Sequence, residues 1–230
     1  MTTFVLVHGG YPRQTTAAYG TQNGGHVFKR LDRSLSAHGH VVYRPTLTGF
    51  GSRIHHAGPD LSFETLFKDV AGLIESENLC RVILLGFSFG GFVVSGAASL
   101  VPKRIAQLVY FDAFVPDDGD TMAEVTPEGI IRLKQENREL DLLYERIPVG
   151  ESIATIPKAY VRCTDRESLS AWRNALDRSA QKARDRGWPF YEIVSDHHHG
   201  WLSQGLERYP DNPLAHNDAV DILLRIAEQV

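Results

Sequence analysis

Cysteine is nearly missing from this chain of 230 residues: there are two, Cys80 and Cys163. Two distant thiols make neither a metal knuckle nor a disulfide framework. Both flank apparent strands among apolar neighbours, which predicts two buried free thiols. No apolar run approaches the ~18 residues a membrane-spanning helix requires, and no charged leader with a cleavable apolar stretch precedes "TFVLVHGG". The expected location is therefore cytoplasmic. An excess of one charge is lacking too, since 24 Lys+Arg against 28 Asp+Glu leave −4. No basic field advertises nucleic acid or an anionic membrane, and a small neutral or weakly charged ligand fits better. Neither internal repeats nor low-complexity tracts are visible.

What is present describes a globular protein, with 43% hydrophobic and 23% charged residues. The length suits one domain spanning residues 1–230. Short, nearly continuous apolar runs recur as "TFVLVHG" from Thr3, "VVYRPTL" from Val41, "RVILLGF" from Arg81, "AQLVYFD" from Ala106, "AYVRC" from Ala159 and "FYEIVS" from Phe190. Strands buried on both faces have this appearance. Between them, Leu61 to Asn78 places Phe63, Leu66, Phe67, Val70, Leu73 and Ile74 on one helical face. A terminal helix runs from about Ala215 to Gln229, with Val220, Leu223, Leu224 and Ala227 as its apolar stripe. The alternation predicts an α/β fold, with about six mostly parallel strands and helices on both faces. Two stretches break the rhythm. Residues 115–157 hold a charged helical pattern with Ile130, Ile131, Leu140 and Leu143, read as a short helical cap over the C-terminal edge of the sheet. Tyr11 to Gly25 is polar and Gly-rich, hence a loop.

The chemistry concentrates in "GFSFGG", Gly86 to Gly91, which follows the third strand and precedes a small-residue helix from Phe92 to Leu100. This is G-x-S-x-G in the strand-turn-helix setting that holds a serine, Ser88, at an exposed apex. A serine hydroxyl needs a histidine to take its proton and an acid to orient the imidazole. Both follow the serine in this chain order. Asp165 stands just past "AYVRC", and the run His197, His198, His199 just past "FYEIVS". Asp112, which ends "LVYFD", is the rival acid, although tying down a strand end suits it better. Amide donors for an oxyanion, each worth about 3–4 kcal/mol of barrier, fall to Phe89 and, in the "HGG" turn after the first strand, to Gly10.

Together "FVLVHGG", "PTLTGFGSR", "GFSFGG", "LVYFDAFVP", "CTDR" and "DHHHGWL" resemble the α/β-hydrolase group of plant methylesterases, hydroxynitrile lyases and bacterial pyrethroid-hydrolysing carboxylesterases. The resemblance covers all but the cap and the first loop. It implies an α/β-hydrolase fold with Ser88, His198 and Asp165 as a triad. The acid follows a Cys-Thr pair, here with one residue fewer between Thr164 and Asp165. Counting back from Trp201-Leu202 places the base at His198, while Asp196-His197 gives His197 a claim of its own. The lyases of the group carry threonine after the first-strand histidine and lysine after the base. Here Gly9 and His199 stand there, which favours an esterase.

The reading is therefore a serine hydrolase for an ester or lactone of a small hydrophobic or aromatic molecule. Tyr11, Phe114 and Trp201 are candidate pocket walls. No metal or other cofactor is expected, because adjacent histidines do not converge on one ion. Expected partners are a small-molecule substrate and a second copy of the chain, with no nucleic acid and no membrane. The alternative is a non-hydrolytic relative, a lyase, a cofactor-free oxygenase or a small-molecule receptor, since fold does not fix function. Phe87, where the group has histidine, and the rebuilt first loop could accompany such drift.

Overall fold

A computed structural model describes residues 1–10, 24–58, 60–135, 140–164, 172–194 and 213–230. Six strands form one sheet: β1 (Thr3–Val7), β2 (Val41–Tyr43), β3 (Val82–Phe87), β4 (Ile105–Phe111), β5 (Lys158–Thr164) and β6 (Phe190–Val194). Their order is β2-β1-β3-β4-β5-β6, and all five neighbouring pairs are parallel. The central strands β1 and β3 are buried almost throughout, so their continuous apolar runs carry no polar face.

One face is covered by α2 (Phe63–Ser76), α3 (Gly90–Leu100) and α6 (Arg173–Asp185), the other by α1 (Lys29–Ala37) and α7 (Pro213–Glu228). Helix α3 is apolar or small on all sides because it is enclosed, and nine of its residues are buried. Helix α2 starts at Ser62, whose Oγ accepts the Thr65 N–H at 3.2 Å. None of the described helices is long and apolar enough to cross a membrane.

Residues 115–157 contain α4 (Met122–Val125) and α5 (Pro127–Gln135), followed by two short helical turns. Ile130, Leu133, Leu142, Leu143, Ile147 and Ile153 enter the same core as α2 and α3. Of the expected apolar set, Ile131 alone faces solvent. The segment is latched to the scaffold by Glu145, whose carboxylate accepts the Phe63 N–H at 2.7 Å, and by Ser99, whose hydroxyl donates to the Pro148 carbonyl at 3.0 Å.

One expectation about the thiols is corrected. Cys163 is buried but Cys80 is exposed. Cys80 lies in the turn between α2 and β3, flanked by Asn78 and Arg81 at positive φ, and the buried run of β3 begins only at Val82.

Candidate active site

In this strand order, β1 sends the chain outward to β2 and is flanked on its other side by β3. The loops after β1 and β3 therefore part at a topological switch point, where open α/β sheets place their ligands. The "HGG" turn and Ser88 occupy those two loops.

Ser88 adopts φ +54, a left-handed conformation rare for a residue with a side chain. It persists because the elbow is pinned on both sides. The Ser88 N–H donates to the Phe111 carbonyl at 3.4 Å, and the Ser88 carbonyl accepts from the N–H groups of Gly91 at 3.0 Å and Phe114 at 3.2 Å. The glycines make room for this. A Cβ on Gly86 would lie 2.5 Å from the Gly90 carbonyl oxygen, one on Gly90 2.5 Å from that of Val7, and one on Gly91 2.1 Å from that of Phe114. Ser88 itself remains half-buried, reachable at the point where α3 begins. The N-terminus of α3 aims its amide dipoles at that point.

The facing wall is built from His8, which is fully buried. Its Nδ1–H donates to the Gly9 carbonyl at 2.8 Å, and its Nε2 accepts the Leu47 N–H at 3.1 Å. Burial pushes this imidazole down to about 4, so it is neutral at pH 7 and its tautomer is set by these two contacts. Holding the Gly9 carbonyl also orients the next amide, because a trans peptide points its N–H opposite to its C=O. His8 therefore aims the Gly10 N–H. Leu47 is secured in turn, since neighbouring Thr48 donates to Asp69 through its N–H at 2.6 Å and its hydroxyl at 3.0 Å. Arg53 ties Asp69 at 3.1 Å to the Thr46 carbonyl at 3.0 Å. The sequence pattern assigns a role to the backbone of "HGG" but none to the His8 side chain. A histidine closing an otherwise apolar strand was the available signal.

Gly10 has φ +103, and neither its amide nor that of Phe89 donates to another described group. A Cβ on Gly9 would stand 2.8 Å from the Ser88 Cβ, so the two loops meet at the nucleophile. Phe114 contributes its backbone to the elbow. Its ring, 2% exposed, stacks on Phe92 at 5.3 Å inside the core. Phe87 is likewise a core residue, edge-on to Phe111 at 6.4 Å. Asp112 is buried in an ion pair with Arg162 at 2.8 Å, the strand-tying arrangement expected of it. His55 and His56 are exposed and lie ring against ring at 4.0 Å. Asp165, His197, His198, His199, Tyr11 and Trp201 lie outside the described residues.

A parallel sheet whose switch point holds a strained serine on a strand-to-helix elbow, faced by a glycine turn, defines the α/β hydrolases as a class. The model of the alpha/beta hydrolase family matches residues 4–224, and the chain belongs to that family. Among curated proteins it is 40% identical to the carbendazim hydrolyzing esterase of a Nocardioides species over 130 residues, 56% of this chain and 49% of that protein. It is 34% identical to the alpha-hydroxynitrile lyase of Arabidopsis thaliana over 119 residues, 50% of this chain and 40% of that one. The chain thus spans about half the length of these curated relatives. Among solved structures, an extracellular alpha/beta-hydrolase from a Paenibacillus species aligns with TM-score 0.68 at 22% identity, covering 96% of this chain and 98% of that one. That likeness is one of fold.

Proposed function

We propose that the protein is a serine hydrolase cleaving a carboxylic ester or lactone of a small hydrophobic or aromatic molecule, without a cofactor. The observation that carries this reading is Ser88, held at φ +54 where the Gly9-Gly10 turn meets the start of α3. Relatives that bear esterase names support it.

In the proposed mechanism His198 removes the Ser88 proton as the hydroxyl attacks the acyl carbonyl, and Asp165 holds the imidazole's tautomer. The developing oxyanion is received by the Gly10 and Phe89 amides, with α3 behind them. The alcohol leaves with the proton from His198, and water activated by the same histidine clears the acyl-enzyme. Neutral His8 suits this scheme, because it orients the Gly10 amide without adding a second titrating group.

Intact mass after treatment with a fluorophosphonate probe tests the reading. One adduct is expected on the wild type, none on Ser88→Ala, and a much slower one on His198→Ala and Asp165→Asn. A folded wild type that takes no adduct would mean an inert serine and would favour a non-hydrolytic member of the family. Labelling that survives His198→Ala but is lost in His197→Ala would move the base by one residue.

A further inference from the structure

The strand that leads to Asp165 is incompletely paired at its end. β5 is matched by β4 only as far as Phe111↔Val161, whereas its pairing with the edge strand β6 continues through Thr164↔Val194. Beyond Val161 the β4 side is therefore supplied by Asp112. Its N–H still makes the next ladder bond, to the Val161 carbonyl at 2.6 Å. In a continuing parallel ladder, the Asp112 carbonyl would then accept the Cys163 N–H. At φ +42 the backbone turns away instead, and carboxylate Oδ1 takes that N–H at 3.2 Å. A side-chain oxygen thus replaces a main-chain one in the last rung.

The same oxygen accepts from Arg162 Nη1 at 2.8 Å, and the other Arg162 nitrogen reaches Asp177 on α6. Asp112 is 1% exposed and Arg162 4%. Such a pair is costly to bury, and it persists only when further hydrogen bonds are satisfied, as the Cys163 N–H does here. Against its burial, the Asp112 charge keeps the guanidinium firmly protonated.

We infer that Asp112 is a positioning residue: its carboxylate closes the β4–β5 ladder at Cys163 and so fixes the strand end from which the chain continues through Thr164 to Asp165. This rests on the proposed triad. Asp112 acts through the orientation of the acid and touches neither substrate nor the reacting atoms.

The test compares two double variants that both remove the buried ion pair and differ only in the acceptor for the Cys163 N–H. Asp112→Asn with Arg162→Leu keeps an amide oxygen there, whereas Asp112→Ala with Arg162→Leu has none. Folding is checked by circular dichroism, and the rate of Ser88 phosphonylation is followed from pH 5 to 9, with Asp165→Asn as reference. The alanine pair is expected to label about 10- to 100-fold more slowly. Its pH profile should be displaced toward acid, because a poorly held acid stabilises the imidazolium less. The asparagine pair should recover most of the rate and the wild-type profile. Equal rates and profiles in the two folded pairs would overturn the inference, as would a slow asparagine pair beside an unaffected Asp165→Asn, which would make Asp112 the acid itself. Failure to fold in the alanine pair alone would also overturn it, by making the role one of stability. A wild type that does not label overturns the triad reading and the inference with it. A labelling wild type with equal pairs overturns the inference alone.

Discussion

At the scale of single residues, the site is governed by where side chains are absent. Gly9 is the sharpest case, because a Cβ there would sit 2.8 Å from the Ser88 Cβ and 2.9 Å from the Phe87 carbonyl oxygen. Neither neighbour can yield, since three backbone hydrogen bonds hold the elbow and Phe87 is buried. Gly9→Ala is therefore expected to displace Ser88, slowing phosphonylation by about 100-fold, the effect of roughly an ångström of misplacement. Stability should fall by about 1–3 kcal/mol, as for other overpacked sites. Labelling rates and thermal unfolding check both; an unaltered rate would mean that the turn does not face the nucleophile. Ser88 was legible in the sequence because its motif is local, a strand, five residues and a helix. The role of the His8 side chain was not, and of Asp112 only the tying of its strand end was. One depends on a contact with Leu47 and the other on a positive φ that redirects a carbonyl, and beyond a histidine closing an apolar strand neither leaves a pattern along the chain.

At the scale of elements, legibility followed burial. The core strands are apolar on both faces, so each appears as an uninterrupted run, and α2 shows a clean stripe with Phe63, Leu66, Phe67, Val70 and Ile74 buried. Helices α1 and α6 announced themselves poorly. Helix α1 buries only Leu31 and Leu35, and α6 packs largely through Ala175, Ser179, Ala180 and Ala183 between charged neighbours. Small residues carry little hydrophobic signal although they permit close approach. The contact of α2 with α3 illustrates this, with the Phe67 ring lying on Gly96, where an added Cβ would come within 2.3 Å of it. Alanine in a helix gains about 1 kcal/mol over glycine, but the enclosed ring cannot swing aside. Gly96→Ala should therefore lower stability by about 1–2 kcal/mol net of that gain. Gly72 in α2 meets nothing within 4 Å, so Gly72→Ala should raise it by about 0.5–1 kcal/mol. Urea midpoints of the two variants, moving in opposite directions, measure the packing term apart from the propensity term.

At the scale of the whole molecule, two buried histidines on opposite sides of the fold give stability its pH dependence. His8 secures the β1 turn, and His216 joins α7 to α1 through a hydrogen bond with Ser34 at 3.0 Å. Burial lowers both to about 4 from an ordinary 6.5, with the charge of Arg30 adding to the effect at His216. Below 6.5 the unfolded chain takes up protons that the folded one refuses. The stability these groups contribute is complete above 6.5 and is lost as pH falls toward 4 and below. Each accounts for about 3 kcal/mol over that range, a large share of the roughly 5–15 kcal/mol available to a domain. Carboxylates extend the loss. Glu128, bound by both terminal nitrogens of Arg178 at 2.8 and 2.9 Å, is held down to about 2 from an ordinary 4.5, so its contribution is complete above 4.5 and is lost as pH falls from there to 2. Urea unfolding from pH 8 to 4 should therefore show a plateau above about 7 and a fall of several kcal/mol below it. His216→Gln, which keeps a partner for Ser34 but does not titrate, should show about half that fall. The acid limb of Ser88 reactivity, set by its base, should appear while the protein is still folded, so reactivity and circular dichroism recorded together separate the two. A stability profile flat down to pH 4.5 would mean that neither histidine is enclosed as described, and with His8 would go the account of how the Gly10 amide is aimed.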